Sequence, residues 1–358
     1  MSTLPGSFKS LTYTQPSTPP HLLHQPLTSP GPNELLIQVK AAAINPVDLQ
    51  LWGNPLIGYL AGKKEKGIGR DYSGTIVAVG EQLKGKWEVG VDVFGLFSRP
   101  TGDGTFSQYI KVAPTDPIAR KPSCWTHAEA AAVPLVVLTA FACLDWLPTE
   151  DVESGERRVV VSGASGGVGI WCVQLAKKLY NCHVTGICSG KNAQFVRRMG
   201  ADHVIDYTTQ DVARTLLDDR PGSNGSRKYD LYIDCVGGVE MFNHWYDLLH
   251  KAGAYVTIVG DKTSRASMGG PLTYFTHPAQ VLRYVRGWLF GPRYANVLLY
   301  SRSDLLEQVV ELAEKENVKV VVQEVVKGIL DEKSEAWRRV FALMEEGRVR
   351  GKIVVDIE

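Results

Sequence analysis

The sequence predicts an α/β fold in two parts, a mostly β domain followed by a doubly wound parallel sheet. Three observations predict it. Residues 158–180 read as strand, glycine turn and helix; residues 183–259 alternate short apolar runs with helical stretches; residues 1–120 hold short β segments punctuated by glycine and proline.

The glycine turn organises the rest. In Arg158-Val-Val-Val-Ser-Gly-Ala-Ser-Gly-Gly-Val-Gly169, strand formers lead into small residues, and residues 170–180 follow with helical apolar spacing. The turn matches the dinucleotide-binding fingerprint with Ala164 at the first glycine position and Gly166 and Gly169 at the second and third. Gly166 lets backbone approach a pyrophosphate seated on the unpaired N–H groups of the helix start, and Gly169 lets the helix pack on its strand. Ser165, Gly167 and Val168 complete the expected cradle. The letters at 163–167 also fit the nucleophile elbow of α/β-hydrolases, with Ser165 as nucleophile. No Gly-Lys-Ser/Thr follows, which excludes a P-loop.

At 358 residues the chain is too long for one core, so two domains are expected. Hydrophobic content of 44% with 22% charged residues is that of a globular protein, and a net charge of +1 gives no reason to expect nucleic acid. The six cysteines are scattered, without a C-x-x-C pair, which suits a reducing compartment. Neither a secretory signal nor a run of about 18 apolar residues is present, so no membrane span is expected.

Taken in order, 7–13 reads as a first strand and 35–40 as a half-buried second. Asn45 followed by Pro46 reads as an N-cap with proline at the first helical position, and Asp48 lies in the first turn. Further β segments are expected at 69–80, 89–95 and 105–112. A helix is expected at 129–141 on either side of Pro134, followed by strands at 183–188, 203–205, 231–235 and 254–259 alternating with helices at 192–199, 211–217 and 240–250. A strand at 295–300, a helix at 303–316, a strand at 318–326, a helix at 335–346 and a strand at 352–357 close the pattern.

A hydrolase elbow needs an acid and then a histidine, and Asp234 with His244, His250 or His277 supplies the letters. Glycines at several strand ends, 237–238 and 260, suit instead a long ligand lying across one sheet edge. For NAD, an acid is expected about 20 residues past the turn, yet none occurs between His183 and Ala201. Ser189 and Lys191 stand there instead, a hydroxyl and a cation suited to the 2′-phosphate of NADPH. Ser189 also reads as a plain N-cap and Lys191 as a surface lysine.

The stretches Ala43-Ile-Asn-Pro-Val-Asp48, Gly69-Arg-Asp-Tyr-Ser-Gly-Thr-Ile-Val-Ala-Val-Gly80, Pro134-Leu-Val-Val-Leu-Thr-Ala-Phe141, Gly200-Ala-Asp-His-Val-Ile-Asp-Tyr207 and Arg350-Gly-Lys-Ile-Val354, in this order around the glycine turn, carry a resemblance. The chain resembles the zinc-independent, quinone oxidoreductase-like branch of the medium-chain dehydrogenase/reductase superfamily. Within it, the chain is similar to fungal Yim1-like proteins and more distantly to reticulon-4-interacting proteins. The resemblance implies a GroES-like catalytic domain over 1–128, completed by 302–358, and a Rossmann NADP(H)-binding domain over 129–301, with the cofactor in the cleft. Zinc-dependent relatives carry a cysteine where this chain has Asn45 and a histidine near Arg70, so no metal is expected. The resemblance also puts Asn45 and Thr139 near the nicotinamide as neutral donors to a substrate oxygen, Tyr207 near the adenosine phosphate, and the backbone of Val236, Gly237, Val259 and Gly260 along the cofactor. The N-cap reading of Asn45 is expected to leave its amide N–H₂ free. Asp48 reads either as a buried acid behind the site or as a helix-dipole carboxylate. Tyr59 and Tyr72 are weighed as proton donors and neither is assigned; the proton is expected from solvent.

Residues 262–293 are the least family-like, and 281–290 mix apolar and aromatic residues with Arg283 and Arg286. Packing in a pocket or subunit interface is the expectation, with peripheral membrane contact as the alternative.

The expected protein is an NADPH-dependent reductase passing hydride to a quinone or α,β-unsaturated carbonyl, monomeric or homodimeric. It is expected in the cytoplasm, or peripheral to mitochondria or another organelle membrane. The alternatives are an aldehyde or ketone reductase without zinc, a cofactor-binding stress or membrane-associated protein with little turnover, and the hydrolase.

Overall fold

A computed structural model describes residues 4–54, 65–99, 102–113, 115–149, 156–219, 228–261, 273–316 and 318–357. The chain forms two compact units, Met1–Leu138 with Ser301–Glu358, and Thr139–Tyr300. The division falls at 138/139, inside the helix Pro134–Leu144, ten residues beyond the break expected at 128/129.

In the first unit the glycine-punctuated segments pair into a seven-stranded sheet. Its order is Val322–Val326, Lys352–Asp356, Leu35–Ile44, Asp71–Val79, Asp92–Leu96 and Ile118–Arg120, with Tyr109–Val112 also on Leu35–Ile44. Leu35–Ile44 is longer than expected because its pairing shifts register between Leu36/Ile37 and Val39/Ala41. These bulges let one continuous strand serve several partners. Its far end pairs with the tail strand, Ile353 opposite Ile44, which delivers Lys352 beside Asn45. Ile37, Ala42, Ile76, Val93 and Ile353, each fully buried, lie at the centre of the core. A second sheet joins His21–Pro26, Ser7–Tyr13 and Lys66–Gly67. Two further expectations shift: the expected strands at 105–112 and 318–326 shorten to Tyr109–Val112 and Val322–Val326.

In the second unit, six parallel strands run in the order His203–Asp206, His183–Cys188, Arg158–Ser162, Tyr229–Asp234, Leu249–Thr257 and Arg293–Asn296. Counted along the chain this is 3-2-1-4-5-6, the dinucleotide-fold order, and it reverses at Arg158–Ser162. An aromatic layer covers one face: the rings of Tyr232 and Tyr255 stack 4.8 Å apart, and Phe242 packs on Tyr255 at 4.7 Å. The helix expected at 240–250 is instead two short turns, Glu240–Asn243 and Trp245–Leu248, after which the next strand starts at Leu249. The edge strand is Arg293–Asn296 rather than 295–300. The long segment before it contains a helix the pattern concealed, Ala279–Phe290.

Candidate functional site

Each unit holds one cluster of chemistry. In the second unit it lies at the carboxyl ends of the parallel strands, where the order reverses and a ligand crevice is expected. Gly163 takes the left-handed φ of +75° that the tight turn requires, so it does the work assigned to Ala164. Ala164 is fully buried, and its N–H and that of Gly163 both donate to the Ile187 carbonyl, at 3.0 and 3.1 Å. Helix Gly167–Lys178 begins with Gly166 at the N-cap and no side-chain cap. Its first turn therefore presents backbone N–H groups of Gly167, Val168 and Gly169 to any anion set before it. A Cβ on Gly169 would stand 2.2 Å from the Gly163 carbonyl oxygen, whereas one on Gly166 would meet nothing closer than 3.3 Å. Gly169 fixes helix on strand; Gly166 leaves room in front of the helix.

The neighbouring strand ends frame this cradle. Ser189 is at the N-cap of the turn Gly190–Asn192 but makes no side-chain cap hydrogen bond, and Lys191 is exposed. Asn192 donates to Ser165 Oγ at 3.1 Å. The acid missing from the local sequence does come near from the next strand, because Asp206 pairs opposite Cys188. Asp206 accepts from Thr208 N (3.0 Å), Thr208 Oγ1 (2.6 Å) and Thr209 Oγ1 (3.2 Å). These bonds, with one from the Gly190 N–H, hold its carboxyl below the usual range. Its oxygens are thus engaged by its own turn and by the Gly190 backbone. The signal was available only through strand register. Tyr207 is exposed beside it.

Asp234, buried, accepts from Val236 N at 3.0 Å, Gly237 N at 2.9 Å and Thr257 Oγ1 at 2.9 Å. Thr257 Oγ1 in turn accepts from Val259 N at 3.2 Å and Gly260 N at 2.9 Å. One carboxylate and one hydroxyl thereby shape both loops expected along the cofactor. They also test the elbow: Ser165 is engaged by Asn192 and Asp234 by backbone and Thr257, and neither has a histidine partner among the described residues. The six cysteines are free thiols; Cys143, Cys172, Cys182 and Cys188 are buried, and burial pushes the Cys188 thiol up to about 11.

In the first unit, Asn45 is the N-cap of helix Pro46–Gly53, as its Asn-Pro sequence predicts. Its amide is not free as expected. Nδ2 donates to Asp71 Oδ2 at 2.8 Å, and Oδ1 accepts from Lys352 Nζ. Lys352 also donates to the Ile44 carbonyl at 3.0 Å and to Asp71 Oδ2 at 3.1 Å. The second Asp71 oxygen accepts from Leu135 N at 2.8 Å. Asp48 accepts from Asn45 N at 2.7 Å and faces Arg70 at 4.0 Å. Asn45, Asp48, Arg70, Asp71 and Lys352 are all buried, so the carboxylates Asp48 and Asp71 are balanced by the cations Arg70 and Lys352. Both readings of Asp48 hold: it is a buried acid, and it is also the first-turn carboxylate that completes the capping box with Asn45. Tyr72 is fully buried with no hydrogen-bond partner for its hydroxyl, and burial pushes its pKa well up, so it packs rather than donates. Tyr59 lies outside the described residues. Thr139, buried in helix Pro134–Leu144, belongs to the other unit from Asn45.

Burial, opposed by Arg70, raises Asp48 from 3.8 to about 6. A carboxyl raised on folding keeps its stabilising contribution below the unfolded value and loses it as pH rises through the folded one. The wild type is therefore expected to lose about 2 kcal/mol between pH 4 and pH 6.5 through this group. Asp48→Asn should flatten that part of a urea-denaturation pH profile; an unchanged slope in the variant would refute the assignment.

A doubly wound sheet with an uncapped glycine turn at its switch point, in one chain with a β unit that holds a buried Asn–Lys–carboxylate cluster, defines a dinucleotide-dependent oxidoreductase. Known proteins agree. Residues 31–123 match the alcohol dehydrogenase GroES-like domain, and residues 199–355 match the zinc-binding dehydrogenase family. The quinone-oxidoreductase homolog of spinach chloroplasts is 30% identical over 339 residues, covering 94% of each chain. The human mitochondrial NAD(P)H oxidoreductase RTN4IP1 is 30% identical over 348 residues, covering 91% of this chain and 82% of that protein. The quinone oxidoreductase structure from Coxiella burnetii has a TM-score of 0.77 at 23% identity, covering 98% of this chain and 100% of that one, a likeness of fold. The chain belongs to the medium-chain dehydrogenase/reductase family, in the branch of the quinone oxidoreductase homologs.

Proposed function

We propose that the protein is an NADPH-dependent reductase that works without zinc and passes hydride to a quinone or an α,β-unsaturated carbonyl. The observation that carries this reading is the uncapped start of helix Gly167–Lys178, entered through Gly166 with no side chain and flanked by Ser189 and Lys191 where an acid would select NAD. The residues fit the cofactor. Backbone N–H groups of Gly167, Val168 and Gly169 would hold the pyrophosphate, with Ala164, Ser165 and Gly166 forming the turn against it. Ser189 and Lys191 would hold the 2′-phosphate, Tyr207 the adenosine side, and Val236, Gly237, Val259 and Gly260 the remainder. When bound, NADPH supplies the hydride.

Zinc does not fit the Asn45 cluster. It offers an amide already donating to Asp71, a guanidinium and an ammonium, with no thiolate or imidazole, and its carboxylates are already neutralised. Asn45 keeps a second amide hydrogen, a neutral donor for the oxygen that becomes negative as the acceptor takes hydride; the family resemblance alone gives Thr139 the same role. Lys352 and Asp71 hold the Asn45 amide in one orientation. The acceptor β-carbon takes the hydride, and solvent provides the proton that completes the reduction.

The test is NADPH oxidation by purified protein across a panel of quinones and enones, before and after chelation. Turnover that survives chelation supports the reading. Loss of turnover restored by added zinc would sink the metal-free mechanism, and tight NADPH binding with no turnover on any acceptor would sink the reductase. The Ser165→Ala variant should bind NADPH and show no lost hydrolytic activity. Reversing the charge in Lys191→Glu should raise the Kd for NADPH about tenfold or more and leave that for NADH within about twofold. Equal weakening of both cofactors would remove Lys191 from the 2′-phosphate site.

A further inference from the structure

Helix Ala279–Phe290 is built inside out. The side it turns to its own unit carries Gln280, Arg283 and Gly287. Gln280, fully buried, accepts from Tyr294 Oη at 2.9 Å and Asn296 Nδ2 at 3.1 Å. Arg283 donates to both oxygens of Asp261 at 2.7 Å and lies over the Phe242 ring at 3.8 Å. At Gly287 the Pro292 carbonyl comes within 2.6 Å of where a Cβ would stand, so the helix packs tightly there. The apolar residues point the other way. Val281, Leu282, Val285, Trp288 and Leu289 recur at the spacing of a single helix face, and Leu282 and Trp288 are 69% and 77% exposed. Phe275 and Phe290, outside that face, are also 87% and 65% exposed. A contiguous apolar face of this kind marks an interaction site.

The charges beside it say what the partner is. A cavity of about 500 Å³ opens at the carboxyl end of the helix, lined by Lys228, Tyr246, Lys251, Arg286 and Phe290 among others, with no carboxylate. Arg286 lies 4.7 Å over the Tyr246 ring, and Lys228 Nζ donates to the Tyr246 carbonyl, so the cations are held in place without being neutralised. A second copy of the chain would bring the same cations to the contact, and the cavity has no carboxylate to receive them. A phosphate fits the cavity, and acyl chains fit the face next to it. An aromatic–aliphatic stripe edged by arginine and lysine is the chemistry of the bilayer boundary.

We propose that the outer face of helix Ala279–Phe290 docks on a membrane containing anionic phospholipid, with Trp288 and Leu289 in the acyl boundary and a headgroup phosphate between Lys228, Lys251 and Arg286. This docking is independent of the reductase reading.

The full chain should float with vesicles of phosphatidylcholine carrying roughly 30% phosphatidylserine, and not with phosphatidylcholine alone, and the binding should weaken with salt. Lys251→Gln/Arg286→Gln should lower the partition about thirtyfold, roughly fivefold per cation. Trp288→Ser/Leu289→Ser should abolish flotation while leaving NADPH affinity and the circular dichroism spectrum unchanged. A wild-type chain that stays off anionic vesicles overturns the proposal. So does inorganic phosphate binding without flotation, and so does a wild-type dimer that ignores vesicles and whose mass by light scattering halves in the serine variant.

Discussion

Replacing Lys352 by methionine is expected to cost about 3–5 kcal/mol of stability at neutral pH. The ammonium is buried between the Ile44 carbonyl, Asn45 Oδ1 and Asp71 Oδ2, and Asp71 is fully buried. Burial raises the Asp71 pKa, and the Lys352 charge is the largest force opposing that rise. Without the lysine, the carboxylate keeps Asn45 and Leu135 as donors but loses its counter-charge, so it must either remain ionised in an apolar surround or take up a proton. The second route makes the deficit depend on pH. Asp71 in the variant is raised further, so the loss is smallest at acid pH and grows as pH rises through the folded value. Lys352→Met/Asp71→Asn should recover most of the stability, because a neutral amide replaces an unpaired charge. Urea unfolding of wild type, single and double variants at acid and alkaline pH measures this. A single variant as stable as wild type at alkaline pH, or a double variant no better than the single, would show that the pair does not hold the cluster.

Gly169→Val is expected to do the greatest damage at the cofactor edge. Its Cβ would stand 2.2 Å from the Gly163 carbonyl oxygen and 2.8 Å from Ala164 Cα, both backbone atoms that cannot step aside. Helix and strand must separate, at a cost of about 3 kcal/mol or more, and the N–H groups of the helix start move with them. NADPH affinity should fall at least about a hundredfold, as expected when several charge-assisted hydrogen bonds are misplaced together. Gly166→Ala separates packing from binding. There a methyl meets the Gly163 carbonyl oxygen at 3.3 Å, a tight contact that a shift of a few tenths of an ångström relieves. The melting temperature should therefore fall far less than in Gly169→Val, while the methyl occupies pyrophosphate space and weakens NADPH. Calorimetric unfolding and a fluorescence titration of each variant give both readouts. If Gly166→Ala binds NADPH as wild type does, the pyrophosphate is not seated at this turn.

What could be read from the sequence divides along a physical line. The glycine turn, the Asn45-Pro46 helix start and the alternating strands are local, each written within a dozen residues, and the structure has them. Strand His21–Pro26 escaped because no residue in it is fully buried; it is defined by its pairing with Ser7–Tyr13, and pairing has no local signature. Helix Ala279–Phe290 escaped because Gly287, Gly291 and Pro292 read as limits to a helix, and because its inward positions are Gln280, Arg283 and Gly287 rather than apolar residues. The Asn45 amide was expected free because its partners arrive from afar: Asp71 is 26 residues on, and Lys352 lies 307 residues from Asn45. Asp206 reaches Gly190 for the same reason, through strand register rather than spacing.

The tail strand Lys352–Asp356 sits inside its sheet, hydrogen-bonded to Leu35–Ile44 on one side and Val322–Val326 on the other. During synthesis, which delivers about 5–20 residues each second, Tyr109–Val112 can cover residues 35–38 early, but the edge at 41–44 must wait open until residues 352–356 have been made. Residues 139–300 have no such debt to the tail within their own sheet and can close while the ribosome is still working. The order of maturation is thus inverted with respect to the order of translation: the unit begun first is finished last. Throughout that interval the apolar edge of Leu35–Ile44 is the segment most in need of a chaperone.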